Sequence, residues 1–553
     1  MCHQVAARVQ QRARVVAPLL DIRRHRALLQ RQAHLLGHAG EQVAEDHQGH
    51  PCGPRARHWL QNIGAVSSPA SFLLPPLLLA ACGQPPRDAP APQVPPPQGP
   101  LPSPRQLAWH EREFYAFVHF GPNTFTGEEW GRGDEDPAVF NPGALDCRQW
   151  VQAFRSAGMT GVVLTAKHHD GFCNWPSRHS RHTVAHTAWR GGRGDVVREL
   201  ADACREAGLA LGVYLSPWDR NHPDYGRNDA AYNDFFARQL EELLRGYGPL
   251  FEVWWDGANG DRGDPAKFQE YDWNRFIGLV RQHQPEAVIF SDTGPDIRWI
   301  GNESGVAGAT CWATMHSRRM DPGSGDPTPA QLNAGEEGGD AWLPGEVDVS
   351  IRPGWFWRAP EDARVKSVPE LVKIYEESVG RGCSLILNVP PDARGLIHET
   401  DVQRLAGLGT VLRATYGPGT NLAAGRPARA SSAWGGDPAF GAGAVTDGDP
   451  RSSWAAADGQ TAAWIEIDLE PGTVFDRVVL AEPIALGQRV RRFTVEARDN
   501  GQWSAIASGT TIGRKRIVVL DTVITADALR VSVLDARATP LLSELGLHRL
   551  AAR

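Results

Sequence analysis

The segment Leu250-Phe-Glu-Val-Trp-Trp-Asp-Gly257 places an aspartate directly after a short, mostly apolar run. Apolar residues at helical spacing precede it, namely Phe235, Phe236, Leu240, Leu243 and Leu244. An apolar run that follows a helix is typical of a strand in a parallel sheet, where neighbouring elements cover both faces. Asp256 would therefore lie at the carboxyl end of a buried strand.

The same order of helix and strand recurs along residues 105–416. Further strands are predicted at 161–165, 209–215, 287–290 and 384–387, and glycines end the helices before the first two. This repetition indicates an α/β fold, and we expect a (β/α)8-like TIM barrel. A doubly wound open sheet is the alternative, and the lack of a Gly-rich phosphate loop disfavours it.

Polar and ionisable residues follow four of these strands: Lys167-His-His-Asp170, Ser216-Pro-Trp-Asp219, Asp256 and Ser291-Asp292. A TIM barrel builds its active site from the loops at this end of the strands. Ordinary loops are polar as well, so Asp256 taken alone fits a loop cap as well as a nucleophile. A metal site at His168 and His169 is disfavoured because neighbours on an extended segment point to opposite sides.

Residues 417–553 are predicted to form an all-β module. Alternating apolar and polar residues predict strands at 464–469, 475–480, 493–497, 516–520 and 528–533. We expect a jelly-roll sandwich for this part of the chain.

The composition narrows the class of protein. The net charge is −7, with 57 basic and 64 acidic residues, which does not suggest nucleic-acid binding. The cysteines of the predicted globular part are widely spaced, which disfavours a disulfide framework or a zinc site. Tryptophans (19) outnumber tyrosines (8), and broad indole faces suit flat ligands such as sugar rings.

The start of the chain is typical of an exported protein. Residues 1–81 are interpreted as a leader with a signal peptide, or as a misassigned start, because an apolar stretch, 72–81, follows basic residues. Leu79-Ala-Ala-Cys82 resembles a bacterial lipobox, which implies a lipid anchor on Cys82 as the membrane attachment. Ordinary signal cleavage is the alternative. Residues 82–104 are Pro-rich and predict a stiff linker.

Seven motifs in order resemble glycoside hydrolase family 29, the retaining α-L-fucosidases, over residues 105–415. They are Phe117-Val-His-Phe-Gly121, Glu129-Trp130, Ala166-Lys-His-His-Asp-Gly-Phe172, Gly212-Val-Tyr-Leu-Ser216, Val253-Trp-Trp-Asp-Gly257, Gly301-Asn-Glu-Ser-Gly305 and Leu387-Asn-Val-Pro-Pro391. The resemblance implies a hydrolase acting on fucosylated oligosaccharides or glycoproteins, with no cofactor for catalysis.

The resemblance also implies roles for individual residues. Asp256 would be the nucleophile and Glu303 the acid/base, with Glu346 as the fallback for the latter. The fucose would be held by His119, Glu129, Trp130, His168, His169, Tyr214 and Trp254. The segment around Glu303 resembles the branch that cleaves α-1,3/1,4-linked fucose. Two carboxyl groups about 5–5.5 Å apart would permit double displacement with retention of configuration.

Two other functions remain open from the sequence. One is a catalytically inactive carbohydrate-binding lipoprotein, and the other is an exo-glycosidase for a related sugar. In either case the predicted location is outside the cytoplasm, in the periplasm or on the outer membrane of a bacterium.

Trp355 and Trp357 would line the aglycone side of the site or serve as core aromatics.

The C-terminal part resembles the discoidin (F5/8 type C) fold. The matching segments are Asn421-Leu-Ala423, Val445-Thr-Asp-Gly-Asp-Pro-Arg-Ser-Ser-Trp454 and Ser543-Glu-Leu-Gly-Leu547. By this resemblance Asp449, Ser452 and Glu544 are candidate ligands of a structural Ca²⁺. A plain Asp-Gly turn explains the central segment equally well. The sequence does not decide whether the module binds sugar.

Overall fold

The computed structural model describes residues 94–260, 268–319 and 327–551. The predicted leader, the signal-like stretch and Cys82 lie outside these ranges. Within them, none of the helices combines the length and apolar character needed to cross a bilayer.

Eight parallel strands close into a barrel, which confirms the predicted TIM-barrel class. The barrel strands are β1 Phe114–Val118, β2 Gly161–Lys167, β3 Ala210–Leu215, β4 Leu250–Trp254, β5 Val288–Ser291, β6 Ile297–Trp299, β9 Gly345–Ser350 and β10 Ser384–Asn388. Around the barrel they follow the order β1-β10-β9-β6-β5-β4-β3-β2. A small antiparallel pair, β7 (Thr314–Met315) and β8 (Ala341–Trp342), lies in the long connection between β6 and β9.

Helices occupy most of the connections between the barrel strands. They are α1 Pro104–His110, α2 Pro122–Thr126, α3 Cys147–Ala157, α4 Val196–Ala207, α5 Asp229–Gly246, α6 Trp273–His283, α7 Pro329–Ala334, α8 Val368–Ser378 and α9 Glu399–Tyr416. Gly158 and Gly208 end α3 and α4 with φ angles of 90° and 72°, a left-handed conformation that suits glycine. The chain can thus turn directly into β2 and β3.

The connection from β5 to β6 departs from the βα repeat, because the described residues 292–296 form no helix. Sequence periodicity missed β6, which is only three residues long and has an arginine at its centre. Arg298 is fully buried and donates hydrogen bonds to the carbonyl oxygens of Leu332 (2.8 Å), Trp312 (3.0 Å) and Leu343. Carbonyl groups therefore satisfy a charged side chain that would otherwise be costly to bury.

The C-terminal part is an antiparallel β-sandwich, as predicted. Its main sheet has the order β11-β13-β16-β14-β15, with β18 also paired to β13, and β12 pairs with β17. The bounds are β11 Ala428–Ala430, β12 Trp454–Ala455, β13 Ala463–Ala481, β14 Val490–Asp499, β15 Gln502–Gly509, β16 Arg516–Ala536, β17 Leu541–Leu542 and β18 Glu544–His548. The predicted strands 464–469 and 475–480 both belong to β13, whose register shifts between Asp468 and Thr473.

Barrel and sandwich share a polar interface. Arg477 of β13 donates to the Glu376 carboxylate of α8 at 2.6 Å, and both side chains are buried. The described end of the Pro-rich segment lies against the sandwich. The backbone amide of Gln98 donates to the Leu486 carbonyl (3.0 Å), and the Arg489 side chain donates to the Pro96 carbonyl (2.8 Å).

Replacing Arg352 tests a buried ion pair of the barrel. Its guanidinium contacts the carboxylate of Asp401, the third residue of α9, at 2.8 Å, and neither side chain is exposed to solvent. Arg352→Met should lower the free energy of unfolding by about 3–5 kcal/mol, because Asp401 would stay buried without its partner. Denaturant unfolding measures this loss, and Arg352→Met/Asp401→Leu should recover most of it. A loss below ~1 kcal/mol would contradict the prediction.

Candidate active site

One cavity of about 660 Å³ lies beyond the carboxyl ends of the barrel strands. It is lined by the predicted nucleophile, the first-choice acid/base and every residue predicted to contact the sugar: His119, Glu129, Trp130, His168, His169, Tyr214, Trp254, Asp256 and Glu303. The cavity also has lining residues that the sequence analysis did not assign to the sugar or to catalysis: Phe117, Trp218, Arg220, Phe290, Asp292, Trp299, Asp348 and Trp355. The fold therefore brings together residues from loops far apart in the chain.

The Asp256 carboxylate follows β4 and is held by donors on both oxygens. Oδ2 accepts a hydrogen bond from the Tyr214 hydroxyl at 3.2 Å, and Oδ1 accepts one from the amide of Ala258 at 2.7 Å. The side chain is still 28% exposed, so the carboxylate is oriented yet open to the cavity. The two hydrogen bonds therefore fix the direction in which the carboxylate faces the cavity.

His169 approaches the same carboxylate as a neutral ring. Its Nε2 lies 3.8 Å from Asp256 Oδ2, and its Nδ1 lies 2.7 Å from the Ser216 hydroxyl. Ser216 donates its own proton to the Trp218 carbonyl at 2.6 Å, so Nδ1 must carry the proton of the imidazole. Burial lowers the pKa of His169. Nε2 is thus left as an acceptor for a hydroxyl group of a ligand.

His119 and His168 are neutral for the same reason. Burial lowers the pKa of His119 to about 3 and that of His168 well below its usual value. The Asn388 amide oxygen lies 2.8 Å from Nδ1 of His119, and the Asn388 amide nitrogen already donates to Ser350 and Trp355. Nδ1 of His119 must therefore donate, which leaves its Nε2 as an acceptor. The buried Nδ1 of His168 has no hydrogen-bond partner in the described part of the chain.

Trp254 forms part of the floor of the cavity in a fixed orientation. Its ring stacks on Phe290 at 4.0 Å and on Tyr214 at 5.1 Å between centroids. Its indole nitrogen donates to Glu346 Oε1 at 2.8 Å, inside the barrel. The polar edge of Trp254 is thereby satisfied, and the ring lines the cavity although only 5% of the residue is exposed.

Glu346 does not fit the fallback role of acid/base. Its side chain is fully buried below the cavity, does not line it, and also accepts a hydrogen bond from the Tyr115 hydroxyl. Burial raises the pKa of Glu346 and that of its neighbour Glu252. A carboxyl group enclosed in this way has no access to a glycosidic oxygen, so Glu346 is a support for Trp254.

Glu303 follows β6 and lines the cavity across the loops from β4. Burial raises the pKa of its carboxyl group, and the nearby charges of Asp256 and Glu129 raise it further, while the Trp355 indole acts against them. That indole nitrogen lies 3.3 Å from Glu303 Oε2. A raised pKa favours the protonated form, which is the form a general acid needs.

Asp348 is a pocket residue that the sequence analysis missed. It stands two positions after Glu346 on β9, and side chains at this spacing share one side of a strand. Trp299 donates to its carboxylate at 2.9 Å, and burial raises the pKa of Asp348 well above its usual value. The alternation Glu346-Val-Asp348-Val was the signal that could have identified it.

Glu129 and Trp130 come from the loop after α2 and form one wall. The Glu129 carboxylate accepts from the amide of Trp355 at 2.5 Å and pairs with Arg358. Trp130 is 58% exposed, and its ring contacts Trp218 edge-on at 6.3 Å. The sequence left undecided whether Trp355 lines the site or belongs to the core, and the structure places it on the cavity wall.

The predicted Ca²⁺ ligands lie in the sandwich. The Asp449 carboxylate pairs with Arg451 at 2.9 Å, and the Ser452 hydroxyl donates to the Asp447 carboxylate at 2.8 Å. Glu544 accepts from the Asn421 amide at 3.1 Å. Across the described ranges, no group of three or more His, Cys, Asp or Glu residues has the arrangement of a metal site. The Ca²⁺ site stays a prediction.

Comparison with known families agrees with this geometry. The family model "Alpha-L-fucosidase" matches residues 105–417, and the model "F5/8 type C domain" matches residues 427–545. The chain belongs to the α-L-fucosidases of glycoside hydrolase family 29. It is therefore a glycoside hydrolase whose substrates are fucosylated glycans.

Individual relatives support the membership. The chain is 44% identical to Alpha-L-fucosidase 1 of Arabidopsis thaliana, over 81% of this chain and 87% of the relative. It resembles the crystal structure of SpGH29 with a TM-score of 0.78 and 39% identity, covering 83% of this chain and 100% of that one. A Ruminococcus gnavus family 29 fucosidase solved in complex with fucose matches with a TM-score of 0.76 and 33% identity, covering 83% and 97%.

Tyr214→Phe tests whether the tyrosine hydroxyl supports Asp256. The change removes one donor to a carboxylate, an interaction of about 2 kcal/mol, and kcat/KM on an aryl α-L-fucoside should fall roughly 30-fold. The ring and its stacking on Trp254 are kept, so the thermal unfolding midpoint should change little. Wild-type kcat/KM would show that this hydrogen bond has no role in turnover.

Proposed function

We propose that this α-L-fucosidase removes terminal α-L-fucose, α-1,3/1,4-linked, by a double displacement that retains the anomeric configuration. The observation that carries the proposal is the pair of carboxyl groups on one cavity. Asp256 is held by two hydrogen-bond donors, and the pKa of Glu303 is raised by burial. Environments of this kind separate the acid from the nucleophile.

In the first step the glycosidic bond breaks. Glu303 gives its proton to the leaving oxygen while an oxygen of Asp256 forms a bond to the anomeric carbon. The products of this step are the free aglycone alcohol and a fucosyl ester of Asp256. The amide of Ala258 and the hydroxyl of Tyr214 keep the attacking carboxylate in place.

In the second step water releases the sugar. Glu303, now a carboxylate, takes a proton from water, and the water oxygen bonds to the anomeric carbon as the ester bond to Asp256 breaks. Two inversions give net retention. Both side chains then return to their starting protonation states.

The remaining wall suits a deoxy sugar. The neutral rings of His119, His168 and His169 exchange hydrogen bonds with hydroxyl groups without adding a charge beside Asp256. The indole faces of Trp130 and Trp254 provide apolar surface for the methyl group at C5. The α-1,3/1,4 preference is supported by the segment Trp299-Ile-Gly-Asn-Glu303 alone.

Export and a lipid anchor on Cys82 are part of the proposal and are supported by the sequence of the leader. The periplasm or the outer membrane of a bacterium would then be the place of action. Acyl labelling of the full chain tests the anchor, with Cys82→Ser as the control. Label on that variant would exclude Cys82.

A structural Ca²⁺ is proposed for the sandwich. The oxygens that approach one another best are the Asp447 carboxylate and the Ser452 hydroxyl, with the Asp449 carbonyl accepting from Ser452 at 3.0 Å. Burial raises the pKa of Glu544, and the nearby charge of Asp447 raises it further. The Asp449 carboxylate itself faces Arg451. Chelator treatment should lower the unfolding midpoint, and added Ca²⁺ should restore it.

Asp256→Ala should lower kcat on an aryl α-L-fucoside by at least about 10³-fold, because the nucleophile is lost. Added azide should restore turnover and form β-fucosyl azide, since azide would attack from the vacated face. Product analysis by NMR measures this. Asp272→Ala, which removes a helix cap on α6, is the control and should keep full activity. Formation of the α-azide would contradict retention.

Glu303→Gln should slow hydrolysis of a fucosylated oligosaccharide at least about 100-fold while sparing an aryl fucoside with a good leaving group. The pH dependence follows from the raised pKa of Glu303. With the oligosaccharide, kcat/KM should fall as the pH rises through that pKa, because the acid form is lost above it. The variant should lack this limb, and an unchanged limb would assign it to another group.

Substrate panels test the finer parts of the proposal. Fucosylated oligosaccharides with α-1,2, α-1,3, α-1,4 and α-1,6 bonds should be cleaved fastest at the α-1,3 and α-1,4 bonds. Aryl glycosides of galactose and of other deoxy sugars serve as controls. Faster turnover of one of these would favour an exo-glycosidase for a related sugar.

A further inference from the structure

The loop 307–313 connects the Glu303 segment to β7, and the C-terminal sandwich holds it by its backbone. Gln488 of the sandwich donates to the carbonyl of Cys311 at 3.0 Å and accepts from the amide of Ala313 at 2.8 Å. The hydroxyl of Thr511 accepts from the amide of Cys311 at 2.9 Å. Three polar atoms of the sandwich thus fix the backbone of two residues in the barrel.

A second set of contacts fixes the same loop two residues earlier. The carbonyl of Ala309 accepts from the Thr510 hydroxyl at 3.1 Å and from the Arg516 guanidinium at 2.8 Å. On the barrel side, the amide of Ala307 donates to the carbonyl of Glu377 at 2.9 Å. The loop is therefore bound between α8 and the sandwich along its whole length.

Gln488 and Thr511 are suited to this task. Each side chain is only 2% exposed. The described hydrogen bonds of the Gln488 amide both go to the barrel loop, so its polar atoms are satisfied by the neighbouring module rather than by its own. A buried amide whose partners were removed would pay a desolvation cost, which makes this contact specific in geometry.

The position of the loop 307–313 also affects the position of Glu303, because the segment that carries Glu303 is short and directly precedes that loop. The amide nitrogen of Asn333 donates to the carbonyls of Ile300 (3.1 Å) and Val306 (3.0 Å), and so closes the base of the loop that carries Glu303. Val306 is followed at once by the loop that the sandwich holds. The Glu303 carboxyl has one described hydrogen bond, to Trp355 at 3.3 Å, so its place depends mainly on its backbone.

We propose that Gln488 and Thr511 are positioning residues for the acid/base, and that the sandwich contributes to catalysis by holding the loop 307–313. This inference rests on the proposed role of Glu303. It gives the C-terminal module a part in proton transfer that does not depend on whether the module binds a glycan.

The test compares two substrates of different leaving-group ability in the full chain. Gln488→Leu and Thr511→Val should each lower kcat/KM on a fucosylated oligosaccharide by roughly tenfold to hundredfold, because a displaced acid protonates the leaving oxygen poorly. An aryl fucoside with a good leaving group needs little protonation, so its kcat/KM should stay within about twofold. Thr511→Ser keeps the hydroxyl and should keep wild-type values on both substrates.

Arg477→Met is the matched control. It breaks the Arg477–Glu376 ion pair of the same interface without touching the loop 307–313. It should lower the unfolding midpoint and leave the ratio of the two substrates unchanged. If Arg477→Met changes that ratio as much as Gln488→Leu does, or if the loop variants lose both activities equally, the proposal is overturned.

Glu303→Gln separates this inference from the proposed function. If that variant shows the difference between substrates and the loop variants do not, only the positioning role fails. If Glu303→Gln shows no difference, the assignment of the acid/base itself fails. Should Gln488→Leu not fold, Thr511→Val with its serine counterpart supplies the same comparison.

Discussion

The proposed chemistry depends on two carboxyl groups, those of Asp256 and Glu303, that face one cavity in different surroundings. The Asp256 carboxylate accepts hydrogen bonds from the amide of Ala258 and the hydroxyl of Tyr214, which hold it in one orientation. Glu303 is exposed to the cavity and has a single indole donor, and its pKa is raised by partial burial and by the nearby charges of Asp256 and Glu129. The barrel supplies both environments because each residue follows a different strand.

Polar side chains inside the barrel, below the cavity, also affect the charge near Asp256. Tyr115, Glu346 and the indole of Trp254 form a hydrogen-bonded group inside the barrel, and Trp109 donates to the Tyr115 hydroxyl at 2.8 Å. Burial raises the pKa of both Glu346 and Glu252, which favours their protonated forms and keeps the charge below the cavity low. Such a network fixes the indole ring and limits the negative charge below Asp256.

Apolar runs in the sequence predicted the barrel and the sandwich, because such runs are local signals, whereas the resemblance to glycoside hydrolase family 29 supplied most of the cavity residues. Apolar patterns did not predict β6, because this short strand has Arg298 at its centre. The hydrogen-bond partners that allow Arg298 to be buried lie in segments more than ten residues away along the chain. The resemblance placed Glu303 ahead of Glu346, and only coordinates could show that Glu346 is buried below the cavity while Glu303 lines it. Asp348 was missed because alternation on β9 was not used.

The contacts between barrel and sandwich limit how freely these modules can be exchanged. Discoidin-like modules are easily regarded as independent cassettes that recombination can attach to any enzyme. In this chain Arg477 donates a hydrogen bond to a buried carboxylate of α8, and Gln488 forms hydrogen bonds with backbone groups of a barrel loop. In a chimera that joins this barrel to another sandwich at residue 417, the carboxylate of α8 and the backbone of the barrel loop would lose their hydrogen-bond partners. A sandwich exchanged by evolution or by engineering would therefore need matching donors and acceptors on its surface.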